Sequence, residues 1–477
     1  MMRTPSLTRA VAIFSGALML SACQTFSQDG GMNVAANVAD QELRKDVIAI
    51  RTQDDAASAQ ARVQHLLKRP LTADTAVQIA LLNNRGLQAA YNELGIAEAA
   101  MVAESLPPNP KISISRIASA ADIEIERKIV ANILSLATLP ARAEIAQNRF
   151  HQAQLRAAGE TTRVAAEARH SYYRAVASRQ LAGLLAEAQT AAANAAKLAT
   201  RLGESGALNK LNQAREQVFY AEVTAQLASA HQRAASERER LIQVMGLWGN
   251  DLAFKLPAAL PALPSRQRSW PTVERDALLR RIDIQIARIE IETLAKSLGL
   301  SQATRFINVL ELGGIDKTTR PADAASDRQR GVEVELQVPL FDFGETRLRA
   351  AEQTYMQAVN RLAEKAINIR SQARDAYRSY RSSYDIAAHY QREVLPLRKI
   401  ISDEMMLRYG AMQVDVFALL AESRQRIAAN ASAIEAQRNF WLASTDLSVA
   451  IIGGGAAASS EETSAMTKPA TGNASGH

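Results

Sequence analysis

The sequence predicts a mainly α-helical protein with a small β part, built from two tandem copies of one unit: a helix, a strand pair and a long helical hairpin. Three observations predict this. Short strings recur in one order roughly 200 residues apart, two pairs of short segments alternate polar with apolar residues, and apolar residues step by threes and fours on both sides of a glycine-bearing turn. At 47% hydrophobic and 5% aromatic residues, the chain is rich in alanine and short of large core side chains, which favours helices in close approach over one thick core.

The N-terminus reads as a signal peptide over residues 1–22. Arg3 and Arg9 make a basic start, and the apolar run from Val11 to Leu20 is too short to span a bilayer. It ends in Leu20, Ser21, Ala22 and Cys23, the small-residue box that precedes a lipid-modified cysteine, and Cys23 is the only cysteine in the chain. Acyl chains on Cys23 would hold the protein to a membrane surface; an ordinary signal peptide followed by a chance cysteine is the alternative. Gln24 at the next position resembles the sorting pattern of outer-membrane lipoproteins. Cleavage removes two basic residues and no acidic one, so the net charge falls from +7 to +5. With no dense basic patch interleaved with aromatics, nucleic acid is not an expected partner. The mature chain has no run of eighteen apolar residues, so a membrane crossing would have to use strands.

The repeat sets the element order. Ala80, Leu81 and Leu82 recur as Ala277, Leu278 and Leu279, and Leu87 to Ala90 recur as Ile284 to Ala287, 197 residues on. That register continues to the strands, where Ile112 and Ile114 match Val309 and Glu311. Ile123 to Glu126 match Val332 to Glu335 at 209, while Arg201 and Leu202 match Arg408 and Tyr409, and Met245 and Gly246 match Ile452 and Gly453, at 207. Residues 72 to about 105 are predicted helical, stopped by Leu106, Pro107, Pro108, Asn109 and Pro110. Strands are expected over 111–118 and 122 to about 129 and again over 306–312 and 331–338, the second pair joined by a polar loop through Asp316, Lys317, Asp323 and Asp327. A helix of roughly 90 Å follows over about 141–200. Its predicted seam is Leu181, Leu184, Ala188, Ala191, Ala195, Leu198 and Leu202; after the turn at 203–207 the return helix continues it at Leu211, Ala214, Val218, Ala221, Ala225 and Ala228.

The predicted organisation is a signal peptide (1–22), a lipid-anchored extension (23–69), a first repeat (70–248), a Pro-rich linker (249–270), a second repeat (271–452) and a disordered tail (453–477). Four strands in lipid would leave unpaired edges, so the sheet must close. Two chains would give eight strands and a filled interior; three give twelve with an aqueous lumen. A trimer is the smallest open solution, with the helical hairpins extending the tube; soluble β-ribbons are the alternative.

Nearly the whole mature chain resembles the outer-membrane efflux proteins, the TolC-like family, in its lipoprotein branch. The resemblance rests on Pro70, Leu71 and Thr72 leading to Ala80, Leu81 and Asn84, on the break at Leu106 to Pro110, and most specifically on Val338, Pro339, Leu340, Phe341, Asp342, Phe343 and Gly344 before a long helix. It implies a homotrimeric 12-stranded β-barrel on a periplasmic α-barrel in the outer membrane. Such a channel docks to a periplasmic adaptor and an inner-membrane pump, here of the RND type. The first copy has Leu139, Pro140, Ala141 and Arg142 where the second has the Phe-Asp-Phe-Gly turn, so the two junctions need not share geometry.

A passive duct needs no nucleophile, and no catalytic motif, cofactor site or metal cluster is legible; the six histidines form no close pair. In the family the hairpin tips close the periplasmic end and meet the adaptor. Arg201, Gly203, Gly206, Arg408, Tyr409 and Gly410 are therefore the candidates for gate or docking, with glycine as a turn former the plain alternative. Asp415 resembles the family's acidic constriction, though Ala418 stands where a second acid is common, and an ordinary helix-start aspartate fits equally. Met405, Met406 and Met412 cluster near the same tip. Thioethers suit soft monovalent metals, but core packing is the favoured reading. A periplasmic coiled-coil spacer or adaptor that forms no channel is the rival function.

Overall fold

The computed structural model describes residues 26–321 and 325–454. The signal peptide, Cys23 and residues 455–477 of the tail lie outside them. The chain divides into two compact units, one formed by Met1–Asn33, Asn92–Leu155 and Ile286–Ala363, the other by Val34–Tyr91, Arg156–Gln285 and Glu364–His477.

The helices in chain order are α1 (Asn33–Val38), α2 (Gln53–Leu67), α3 (Ala73–Asn83), α4 (Arg85–Ser105), α5 (Ile133–Ala137), α6 (Leu139–Glu204) and α7 (Lys210–Met245). They continue as α8 (Val273–Arg280), α9 (Ile282–Ala303), α10 (Glu345–His389), α11 (Leu395–Gly410) and α12 (Val416–Ile452). The strands are β1 (Lys111–Ala118), β2 (Asp122–Asn132), β3 (Val309–Pro321) and β4 (Asp327–Gln337). No helix among the described residues is long and apolar enough to cross a membrane.

In the first unit the strands form one antiparallel sheet in the order β1, β2, β3, β4, leaving β1 and β4 as its edges. Ile112 pairs with Ile129, Ile129 with Gly314 and Gly314 with Val332, which fixes the faces. One face carries Ile112, Ile114, Ile129, Leu312, Val332, Val334 and Leu336 near the helices, all exposed, with Val332 at 79%. The opposite face carries a charge ladder: Lys111 to Glu311 at 2.9 Å, Lys128 to Glu333, and Lys317 to Glu124. The expected polar loop through Asp316 and Lys317 is corrected here, since both lie within β3 and Asp327 begins β4. Their charges are matched by neighbouring strands, Asp316 by Arg328 at 2.6 Å on the face of the apolar stripe and Lys317 by Glu124 on the other, so polarity there marks paired strands rather than a turn.

The two strand-to-helix junctions differ. After β2, Asn132 accepts the Ser135 amide at 2.7 Å and opens the short α5, and Pro140 falls in the first turn of α6. After β4 the chain makes a tight turn in which Phe343 and Gly344 take positive φ of 48° and 72°. Asp342 accepts the Gly344 amide at 3.0 Å and the Thr346 hydroxyl at 2.5 Å, and a Cβ on Gly344 would collide with the Arg305 carbonyl. Phe306, Phe341 and Phe343 are exposed around this junction.

The core of the second unit gathers Val63, Leu71, Ile79, Leu82, Tyr172, Val176, Leu241 and Met245. The predicted helix over 72–105 is split at Asn84, whose ψ of 116° ends α3 before α4 begins. The Pro-rich linker opens with a 3-10 turn at Gly249–Leu252 and then runs as an irregular strap that anchors itself by three buried side chains. Phe254, Leu256 and Leu260 enter the core, and the Pro261 carbonyl accepts from Trp441 at 3.0 Å and Gln437 at 2.7 Å. The N-terminal extension, read as a polar lead, contains α2 with a capping box between Thr52 and Asp55 and places Val63 in the same core.

Candidate functional site: the hairpin tips

The 66 residues of α6 run without a break to the first tip, about 100 Å of helix. The second hairpin is interrupted by a π-turn at Tyr390–Val394. Pro396 stands at the start of α11 and has no amide to give the carbonyl four residues back, which accounts for the widened turn.

The expected coiled-coil seam is displaced. Buried on α6 are Ala182, Leu185, Ala188, Ala192, Ala196 and Ala199, one residue on from most predicted positions, while Leu198 is 43% exposed. On α7 the buried line is Glu216, Val223 and Ala230, and the predicted residues Leu211, Ala214, Val218, Ala221, Ala225 and Ala228 all face outward. Alanine at the contact allows the helices to approach closely, so the larger residues are left on the flank.

At the first tip the Ser205 amide donates to the Arg201 carbonyl, the Gly206 amide to Gly203 and the Leu208 amide to Leu202, each at 3.0–3.1 Å. Gly206 takes a φ of 75°, and Asn209 caps α7 by accepting the Asn212 amide at 2.9 Å. The second tip repeats most of this: Ala411 donates to Leu407 and Met412 to Tyr409, while Gln413, one residue before the counterpart of Leu208, donates to Arg408; Met412 takes a φ of 59°, and Asp415 caps α12 by accepting the Ala418 amide at 2.8 Å. The left-handed residue, the cap and two of the turn hydrogen bonds correspond at an offset of 206, not 207, so Gly206 matches Met412 and Asn209 matches Asp415. The lost residue reappears in the return helices, 36 residues in α7 and 37 in α12.

Among the sequence-predicted residues, Arg201, Gly206, Arg408, Tyr409, Gly410 and Asp415 are exposed at the two tips. Arg408 is paired along its own helix with Glu404 at 2.9 Å. Gly410 keeps a helical backbone with open space around it, so its turn depends on Met412 instead. Gly203 is helical and lies under Gln213, 2.7 Å from where a Cβ would be. Met406 and Met412 are exposed and Met405 half-buried, which corrects the expectation that these methionines pack a core.

No family model matches the chain. It is 23% identical to the cobalt-zinc-cadmium resistance protein CzcC of Cupriavidus metallidurans over 292 residues, 59% of this chain and 66% of that protein, just under two thirds of its length. Among solved structures, CusC, described for its folding and transmembrane channel formation, matches with a TM-score of 0.66 at 17% identity, covering 80% of this chain and 91% of its own. The open-state MtrE outer membrane channel of Neisseria gonorrhoeae gives 0.65 at 16% identity, with 82% and 89% covered. The chain has the fold of the TolC-like outer-membrane channels.

Within this TolC-like fold, the tips carry two ion pairs between buried glutamates and partly exposed arginines that sequence reasoning missed. Arg424 of α12 binds Glu216 of α7 at 2.9 Å and lies 4.1 Å over the Phe219 ring, and the Glu216 side chain is 4% exposed. Arg398 of α11 binds Glu422 of α12 at 3.1 Å. Glu216 and Glu422 are repeat equivalents at the corrected offset of 206, a signal that the 207 match hid by aligning Glu216 with Ser423. The first hairpin has Ala192 where the second has Arg398, so Glu216 takes its arginine from the other hairpin. One oxygen of each glutamate and the Arg424 Nε have no hydrogen-bond partner among the described residues. A void of about 30 Å³ lined by Leu198, Leu202, Leu208, Val416, Phe417 and Leu420 lies beside Glu216.

Proposed function

We propose that the chain is one of three identical subunits of an outer-membrane efflux channel, anchored by lipid at Cys23. The channel is a passive duct that receives substrates from a periplasmic adaptor and an inner-membrane pump of the RND type. The observation that carries this reading is the four-stranded sheet with one apolar face, one charged face and two unpaired edges. In lipid the edges of β1 and β4 demand partners, and pairing β4 of one copy with β1 of the next closes twelve strands around a lumen lined by the charge ladder. The exposed apolar stripe on α7 supports the same closure, because it has no partner within the described residues of one chain.

Arg201, Gly203, Gly206, Arg408, Tyr409 and Gly410 then sit where an adaptor docks or a gate closes. Three copies of Asp415 form a ring of negative charge that favours cations. The name of the relative CzcC supports cobalt, zinc and cadmium ions as the cargo class. Purified protein should run as a heat-modifiable trimer and conduct in planar bilayers, and Asp415→Ala should raise conductance or weaken cation selectivity. A monomer in mild detergent whose strands react with water-soluble labels in intact vesicles would sink the channel.

A further inference from the structure

The apolar face of the sheet changes character halfway along the strands. Beyond Ile112, Ile129, Val332 and Val334, away from the helices, the same face carries Arg116, Arg127, Arg320, Arg328 and Arg330, all exposed. Asp316 is the one carboxylate on that face among the described residues, and it engages Arg328 at 2.6 Å, Arg330 at 3.3 Å and Arg127 at 3.5 Å. Arg116 and Arg320 form no ion pair among the described residues. Five guanidiniums with one carboxylate leave a strong excess of positive charge on the face that also carries the apolar band, the side the channel reading turns to lipid; the opposite face is net acidic, with Glu126 and Glu335 beside its three Lys–Glu pairs.

We propose that this cluster is a binding surface for the phosphates of outer-leaflet lipid. The inference rests on the channel reading, which puts the helices in the periplasm and the far strand ends at the outer leaflet. Guanidinium groups bind phosphate oxygens as bidentate forks. A basic patch that borders an apolar band meets an anionic headgroup and its acyl chains together. Asp316 holds three of the arginines in place, while Arg116 and Arg320 remain available for the phosphate.

The test uses the full-length detergent-solubilised trimer, with bis-phosphorylated lipid A and its dephosphorylated form as probes and retained lipid counted by native mass spectrometry. Wild type should retain the phosphorylated form about tenfold better. The double variant Arg116→Gln/Arg320→Gln should lose most of that preference, and Arg275→Gln, an exposed arginine on α8, should keep it. Equal retention of the two lipids by wild type, or an undiminished preference in the double variant, overturns the lipid site. Conductance of the same preparations separates the readings: conducting trimers without phosphate preference overturn this proposal alone, and absence of conductance overturns the channel reading and this proposal with it.

Discussion

Met412 holds the left-handed conformation that Gly206 supplies at the other tip. A Cβ there costs about 1 kcal/mol, and glycine's extra freedom in the unfolded chain offsets about 0.5–1 kcal/mol of the relief. Met412→Gly should therefore leave stability nearly unchanged, and by the same balance Gly206→Ala should lose less than about 1 kcal/mol; urea unfolding midpoints of the two variants decide it, and a larger shift in either would overturn the balance. The Glu216–Arg424 pair is less forgiving. Arg424→Ala strands a buried carboxylate and should cost about 3 kcal/mol, while Glu216→Leu with Arg424→Leu should recover most of it. A double-mutant cycle with no coupling would remove the pair from the account. The exposed tip residues were legible because glycine and aspartate mark turns and caps on their own. The buried glutamates were not, because polar letters in an α-helix look solvated until the partner helix is known, and a one-residue error in the repeat hid their equivalence.

The turn between β4 and α10 is held by Asp342, whose carboxyl is kept below its ordinary value of 3.8 by the Thr346 hydroxyl and then the Gly344 amide. A depressed carboxylate stabilises the fold above its unfolded value and loses that contribution as pH falls through the folded one. Asp342→Asn should therefore lower the melting temperature at neutral pH, with the gap to wild type closing only below about pH 3.8. A gap unchanged down to about pH 2 would show that the carboxylate charge plays no part in the turn. Secondary structure here was largely readable, since prolines at 107, 108, 110 and 339 stop or redirect the chain whatever surrounds them. Strand length was not: Asp316 and Lys317 looked like loop until Arg328 and Glu124 were seen on the neighbouring strands. The seam failed for a related reason, since alanine outnumbers leucine in the buried line and hydrophobicity alone points to the wrong flank.

In the single chain, surface is left over at both levels of the fold. The sheet offers the edges of β1 and β4, α7 presents Leu211 and Val218, and α11 presents Leu397, Ile400 and Leu407, the last 70% exposed. Under the trimer reading these surfaces meet between copies, so Leu211→Glu with Val218→Glu should shift the detergent-solubilised protein from trimer to monomer by light scattering, with helical circular dichroism retained. A trimer that survives both charges would place those residues outside the interface. The one-residue difference between α7 and α12 has a geometric consequence. Each residue advances an α-helix by about 100°, so past the insertion a side chain that faces inward in one copy has its counterpart turned sideways in the other. A repeated unit can thus produce two non-interchangeable staves from one template, and under the trimer reading a ring of three chains would hold six staves of alternating kind without any new fold.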